Sequence, residues 1–216
     1  MVEFSLWDVL RNLLLALRWT AGLSLIAFAG GGVVGLLLLV ARFTRLPGAA
    51  TGIAGYVQVF QGVPLLMQLF LTYFGLALLG IDTSALLAAA LCLTLYTSAY
   101  LTEIWRGCVE AIPRGQWEAS ASLAMTPWQQ LRHVILPQAA RITVAPTVGM
   151  LVQVVKGTAL ASVIGFVEVT KAGQMIANAT FQPFVAYGGV ALLYFALCFP
   201  LSAWSRHLER RLKTNA

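Results

Sequence analysis

Charge is scarce in this chain. Asp, Glu, Lys and Arg make up 10% of its 216 residues, against about 25% in soluble domains, which excludes an ordinary water-soluble fold. Histidine occurs twice and cysteine three times. Cys92, Cys108 and Cys198 are dispersed and form no CxxC pair, so a disulfide framework or metal centre is not expected and small buried hydrophobes is the better reading. There is no G-x-x-x-x-G-K-[ST] loop to cradle phosphates, so ATP hydrolysis, if needed, belongs to another polypeptide. No HExxH, GxSxG or paired carboxylates stand in or near an apolar run, which argues against an intramembrane enzyme. The first apolar run is long, follows an acidic stretch and lacks a small-residue cleavage site, so it reads as a span rather than a signal peptide. Internal repeats and low-complexity linkers are also missing.

What the chain has is apolar length: 59% of it is hydrophobic. A helix needs roughly 20 mostly apolar residues to cross the hydrocarbon core. Runs of that kind lie near Leu13–Val40, Ile53–Leu79, Ser84–Trp105, Ile142–Val167 and Phe184–Ser205. The expected fold is an all-α integral membrane protein with about five transmembrane helices. Three basic groups set its orientation: Arg42 and Arg45; Arg106, Arg114, Arg132 and Arg141; and Arg206, Arg210, Arg211 and Lys213. They account for ten of the fourteen Lys and Arg residues, and five spans put all three groups on one side, the cytoplasm by the positive-inside rule. The N-terminus and the short loops near Asp82 and Lys171 then lie outside. Arg11 and Arg18 are a mild exception, partly balanced by Glu3 and Asp8. The net charge of +6 therefore reads as topology, not nucleic-acid binding. The organisation expected is a periplasmic segment at residues 1–12, a membrane domain at 13–206 and a basic cytoplasmic tail at 207–216.

Residues 106–138 are the one long polar stretch between apolar runs. Ile112-Pro113-Arg114-Gly115 breaks the third span, because Pro lacks an amide donor and Gly frees the backbone. Gln116–Met125 is rich in good helix formers. Thr126, Pro127 and Gln129 then carry a capping-box signature with Pro at the first helical position, so a second helix is expected over Trp128–Leu136, stopping at Pro137. Helical spacing puts Trp117, Ala121 and Ala124 on one face and Glu118 with Ser122 on the next. A helix resting on lipid headgroups usually carries Lys or Arg on its polar face. Gln116–Met125 carries neither, which favours docking into a groove on a soluble partner.

Several residues within the spans are candidates to line a solute path. Lys156 stands mid-run and is followed by Gly157 and Thr158. A cation there is costly and usually faces a polar interior, and this reading is favoured over snorkelling to the headgroups. Gly62 and Pro64 either open the second span or simply kink it. Gln68 and Tyr96 line a polar path or hydrogen-bond between helices. Glu103 is best read as an i,i+3 partner of Arg106. Gly30, Gly31, Gly32 and Gly35 permit close helix packing.

EASASLAM followed by PWQQLRHVILPQA resembles the EAA loop of permease subunits of binding-protein-dependent ABC importers. Glu118, Ala119, Leu123, Ile135, Pro137 and Ala139 carry the match. QGVPLLMQLF, AYLTEIWRGCVEAIPRGQWEA and VVKGTALASVIGFVEVTKAGQMI are similar to the polar amino-acid branch of that family, the histidine/glutamine permeases. The resemblance implies the type I importer fold, with an EAA loop at 106–140 whose coupling helix lodges in a cytoplasmic ATPase through Glu118, Ala119, Leu123 and Ala124. It implies a pair of ATPase subunits carrying ATP and Mg, a second permease subunit, a periplasmic amino-acid-binding protein, a bacterial inner membrane, and no cofactor on this chain. The expected function is import of polar amino acids by alternating access. An ATP-independent secondary transporter or channel subunit is the alternative, supported by Lys156 near a broken helix.

The chain departs from the family pattern in two places. In the loop, Ser120 replaces the second Ala and Ala124 the usual Gly; at positive φ, Ala costs about 1 kcal/mol. In the membrane, Gln61 stands where Arg is usual, Val63 where a small hydroxyl residue is usual, and Gly157 where Asp is usual. An ammonium group in a low-dielectric site seeks a carboxylate, and Gly157 supplies none. Either the solute is read differently or the partner subunit holds it.

Overall fold

A computed structural model describes residues 5–43 and 48–214, with side chains through residue 211. Glu3, Arg45 and the Lys213 side chain, counted above in the charge pattern, lie outside the described residues.

The described chain is helical: α1 (Leu6–Phe43), α2 (Ala49–Gly62), α3 (Leu65–Leu78), α4 (Ala85–Glu110), α5 (Arg114–Ser122), α6 (Pro127–Gln129), α7 (Leu136–Gly157), α8 (Val169–Thr180) and α9 (Pro183–Thr214). Four helical stretches are long and apolar enough to span a membrane: Leu6–Phe43, Ala85–Glu110, Pro127–Ile164 and Pro183–Arg211. The pair α2–α3 makes a fifth if counted as one broken span. The first helix begins at Leu6, seven residues before the apolar run, and has 38 residues. At 1.5 Å per residue it is about 57 Å long, well beyond a hydrocarbon core of about 30 Å.

The glycine run fixes how α1 crosses α4. A Cβ on Gly31 would lie 2.5 Å from Thr97 Cβ, and one on Gly35 would lie 3.1 Å from the Ser98 carbonyl. The Thr102 hydroxyl, 2.7 Å from the Ser98 carbonyl of its own helix, also reaches the Gly35 carbonyl at 3.2 Å. Helices with little hydrophobic drive to associate in lipid gain from such close backbone approach. Around this crossing Leu23, Ala27, Leu93, Leu101 and Val154 form the main core. Cys92 and Cys198 are buried free thiols within the packing and Cys108 is half-buried.

Of the two forms expected for the second span, the structure has the opened one: α2 and α3 meet at a 103° bend. Val63 is extended (φ −102°, ψ 132°), as the residue before a proline tends to be, and Pro64 brings no amide to continue the ladder. Two expectations need correction. First, the helix that starts at Thr126 does not stop at Pro137. Residues Gln130–Ile135 form a π-helix, and the Leu136 amide reaches back to the Leu131 carbonyl. The wider turn takes up the ring at Pro137 without ending the helix. Second, Lys171 is not in a loop; it belongs to α8, a short helix packed with α1 and α9 around Leu13, Val169, Ile176 and Ala186.

Candidate coupling surface and membrane sites

The polar segment folds into α5, a sharp corner, and the start of the long helix through α7. Its corner is a Schellman motif. The Ala124 amide donates to the Ala121 carbonyl at 2.9 Å and the Met125 amide to the Ser120 carbonyl at 3.3 Å, the paired bonds that close a helix through a left-handed residue. That residue is Ala124, with φ 56°. The helix after the corner is capped as its residues require: Gln129 donates its amide to Thr126 Oγ1 at 3.4 Å, and Thr126 donates its amide to Gln129 Oε1 at 2.9 Å. The Gln130 side-chain amide also donates to the Met125 carbonyl at 2.9 Å.

One face of α5 is anchored. Trp117 packs against Val109, Ile112, Ile135 and Ala139, and Ser120 is buried with its hydroxyl donating to the Trp117 carbonyl at 2.9 Å. A hydroxyl satisfied in this way explains why Ser is accommodated where the family pattern has Ala. The expected ridge of Trp117, Ala121 and Ala124 is therefore split: Trp117 turns inward because its large ring gains most from burial, while Ala121 and Ala124 stay exposed. Glu118, Ala119, Ser122 and Leu123 are exposed with them, Leu123 to 77%. The four residues assigned to coupling thus lie on one outward surface.

Just inside this surface, α1 and α4 are joined by charge. Arg106 pairs with Glu103 and Glu110, and Arg42 lies 3.8 Å from Glu103. The structural reading of Glu103 is the observed one.

The membrane candidates divide into two groups. The break between α2 and α3 meets the end of α7: a Cβ on Gly157 would lie 3.2 Å from Leu65 Cδ2 and 3.5 Å from Leu93 Cδ2. Gly62 and Pro64 are exposed at that break. Gln68 is buried and donates its side-chain amide to the carbonyls of Phe60 at 2.8 Å and Val63 at 2.7 Å. These carbonyls lose their helical donors at the break, so Gln68 repairs it. Its Oε1 is buried without a partner among the described residues. Thr158 is buried with its hydroxyl donating to the Val155 carbonyl at 2.7 Å. Tyr96 stacks near Tyr100 at 4.6 Å and packs on the same core as Leu65.

Lys156 is elsewhere. It is not buried in the chain, as its position mid-run suggested, but exposed, facing a groove between α7 and α9. Neighbouring helix positions differ by about 100°, so Gly157 can face α3 while Lys156 faces α9.

Sequence reasoning missed Glu168. It is fully buried and caps α8, accepting the amides of Thr170 and Lys171, each at 2.9 Å. Thr20 of α1 and Tyr194 of α9 donate hydroxyls to it at 3.3 and 2.8 Å. Glu is not among the residues usually preferred at an N-cap, and no pattern along the chain pairs positions 20, 168 and 194. Among the described residues no group of three or more His, Cys, Asp or Glu could hold a metal.

Comparison with known proteins agrees with this arrangement. Residues 49–214 match the family described as binding-protein-dependent transport system inner membrane component. A probable amino-acid ABC transporter permease of Bacillus subtilis (strain 168), YckA, is 31% identical over 98% of both chains. The glutamine transport system permease GlnP of Escherichia coli (strain K12) is 34% identical over 97% of this chain and 96% of its own. Among solved structures, an amino acid ABC transporter crystallised with histidines superposes with a TM-score of 0.92 at 31% identity, covering 98% of this chain and 99% of that one. These likenesses favour an importer subunit, with ATP hydrolysis on a separate polypeptide, over an ATP-independent transporter or channel. The chain belongs to the inner membrane components of binding-protein-dependent transport systems, within their amino-acid ABC permeases.

Proposed function

We propose that this chain forms half of the membrane path of a bacterial importer for polar amino acids, with its N-terminus periplasmic and its C-terminus cytoplasmic. Its EAA surface, Glu118, Ala119, Leu123 and Ala124, docks on one subunit of an ATPase dimer that carries ATP and Mg. A second permease subunit, identical or homologous, completes the path, and a periplasmic binding protein delivers the solute. The observation that supports this most is α5 itself. One face is locked by Trp117 while the opposite face presents a carboxylate, small residues and an exposed Leu. A rigid helix with a free, small-residue face can transmit a push from a partner to α4 and α7.

The break at Pro64 and the end of α7 support a hinge on the solute path. Backbone irregularity at membrane depth is tolerated where it is packed by protein or lines a cavity. Reconstitution into proteoliposomes with the ATPase and a binding protein tests the reading. Amino-acid uptake is expected only with ATP and the ATPase present; uptake that persists without the ATPase contradicts it.

A further inference from the structure

We propose that the groove between α7 and α9 receives a solute carboxylate, and that this permease therefore selects amino acids of net negative charge. The inference rests on the amino-acid permease reading and names the substrate class within it.

The groove has a volume of about 460 Å³, within the roughly 300–1,000 Å³ of small-molecule sites. Lys156 and Arg206 line it, with the hydroxyls of Tyr194 and Ser202 and an apolar wall of Phe195 and Phe199, whose rings stack at 5.1 Å. No Asp or Glu lines it. Neither cation forms an ion pair among the described residues.

The two carboxylates held within the helix packing are committed elsewhere. Glu168 is fully buried and receives donors from Thr20, Thr170, Lys171 and Tyr194. Glu103 is held by Arg106 and Arg42. Position 157, where an acid would answer an ammonium group, is Gly, and its Cβ direction runs into Leu65 and Leu93 rather than the groove. The Tyr194 hydroxyl is already donated to Glu168, so the site offers two cations and the Ser202 hydroxyl, and no partner for a positive charge. A dicarboxylic amino acid brings the complementary excess of negative charge; a basic one brings the wrong sign.

An anionic lipid shares part of this chemistry but fits less well. From Tyr194 to Arg206 the α9 wall runs about 18 Å at 1.5 Å per residue. Val155, next to Lys156, packs with Tyr194 and Cys198 at the end away from Arg206. A phosphate on Arg206 would lay its acyl chain along the groove toward Lys156, burying an ammonium in hydrocarbon.

The test uses the purified permease–ATPase complex, so that the binding protein's own selectivity does not enter. Equilibrium binding of glutamate, glutamine and arginine is measured on wild type, Lys156→Gln and Lys156→Arg. Glutamate is expected to bind at least about tenfold more tightly than the other two. Lys156→Gln should remove most of that preference and Lys156→Arg should keep it. Glutamine or arginine binding as well as glutamate, or Lys156→Gln binding glutamate like wild type, overturns the proposal while leaving an amino-acid permease standing. Binding of no amino acid overturns both. Native mass spectrometry provides the lipid arm: phosphatidylglycerol retained by wild type and lost in Lys156→Gln, with glutamate binding unchanged, assigns the groove to lipid and overturns the proposal.

Discussion

Tyr194 of α9 donates its hydroxyl to the fully buried carboxylate of Glu168 at 2.8 Å, joining the last span to the N-terminal cap of α8. Thr20 brings α1 to the same carboxylate and also accepts the Val169 amide at 3.2 Å. Three helices, α1 from the start of the chain and the consecutive α8 and α9, therefore share one acceptor. Tyr194 also lines the Lys156 groove, so the outer cap and the groove have a side chain in common.

Removing that donor should be measurable. Tyr194→Phe deletes a hydrogen bond to an acidic group, worth about 1.5–3 kcal/mol, and should lower the thermal unfolding midpoint of the detergent-solubilised complex. Glu168→Ala strands the α8 amides and both hydroxyls as well, so its drop should be larger. Equal midpoints for Glu168→Ala and wild type would show that the hub contributes nothing.

The coupling corner carries a specific strain. Ala124 sits at φ 56°, where a Cβ costs roughly 1 kcal/mol relative to Gly. Ala124 has this conformation in the chain alone, so the cost falls on folding: Ala124→Gly should stabilise the permease by about 1 kcal/mol. Ala124→Val, β-branched in the same conformation, should destabilise it. The thermal unfolding midpoints of the two variants in nanodiscs read both, and equal midpoints would contradict the strain.

At the α1–α4 crossing the limit is space. Gly31→Ala would place its Cβ 2.5 Å from Thr97 Cβ, closer than packing allows, and overpacking of this kind typically costs about 1–3 kcal/mol. Gly32, with no neighbour in reach of a Cβ, should accept Ala with little change. The two variants differ by one position, so their unfolding midpoints compare cleanly.

Gln68→Leu tests the broken span. Losing the amide leaves the Phe60 and Val63 carbonyls unsatisfied at the bend, at a cost of about 1–3 kcal/mol for a buried group. A lower unfolding midpoint together with reduced uptake is expected. A variant with wild-type stability would mean that other donors satisfy the break.

Much of this architecture could be read from the chain because its signals are local. Apolar length revealed the spans, the Thr126–Gln129 capping box is present as the residues predict, and Gly31 and Gly35 lie at a close crossing. Pro64 was ambiguous because a proline marks a break without fixing its angle, and the 103° bend depends on Gln68 capping it from the next helix. Pro137 misled for the opposite reason: a π-helix over Gln130–Ile135 absorbs it, and no single residue announces that turn. For Lys156 a helical run shows depth but not facing, so its exposure toward α9 comes only from the packing of the helices. Glu168 could not be read at all, since Thr20 and Tyr194 reach it only through tertiary packing.

Docking of α5 on the ATPase is the central claim, and Glu118→Lys tests it most directly. Glu118 is exposed on α5, so reversing its charge should leave folding and membrane insertion intact. Measured by co-purification from membranes at matched permease levels, the ATPase bound by the variant should fall about tenfold or more, equivalent to about 1.4 kcal/mol, with loss of solute-stimulated ATP hydrolysis. Wild-type recovery of the ATPase with unchanged stimulation would contradict the account.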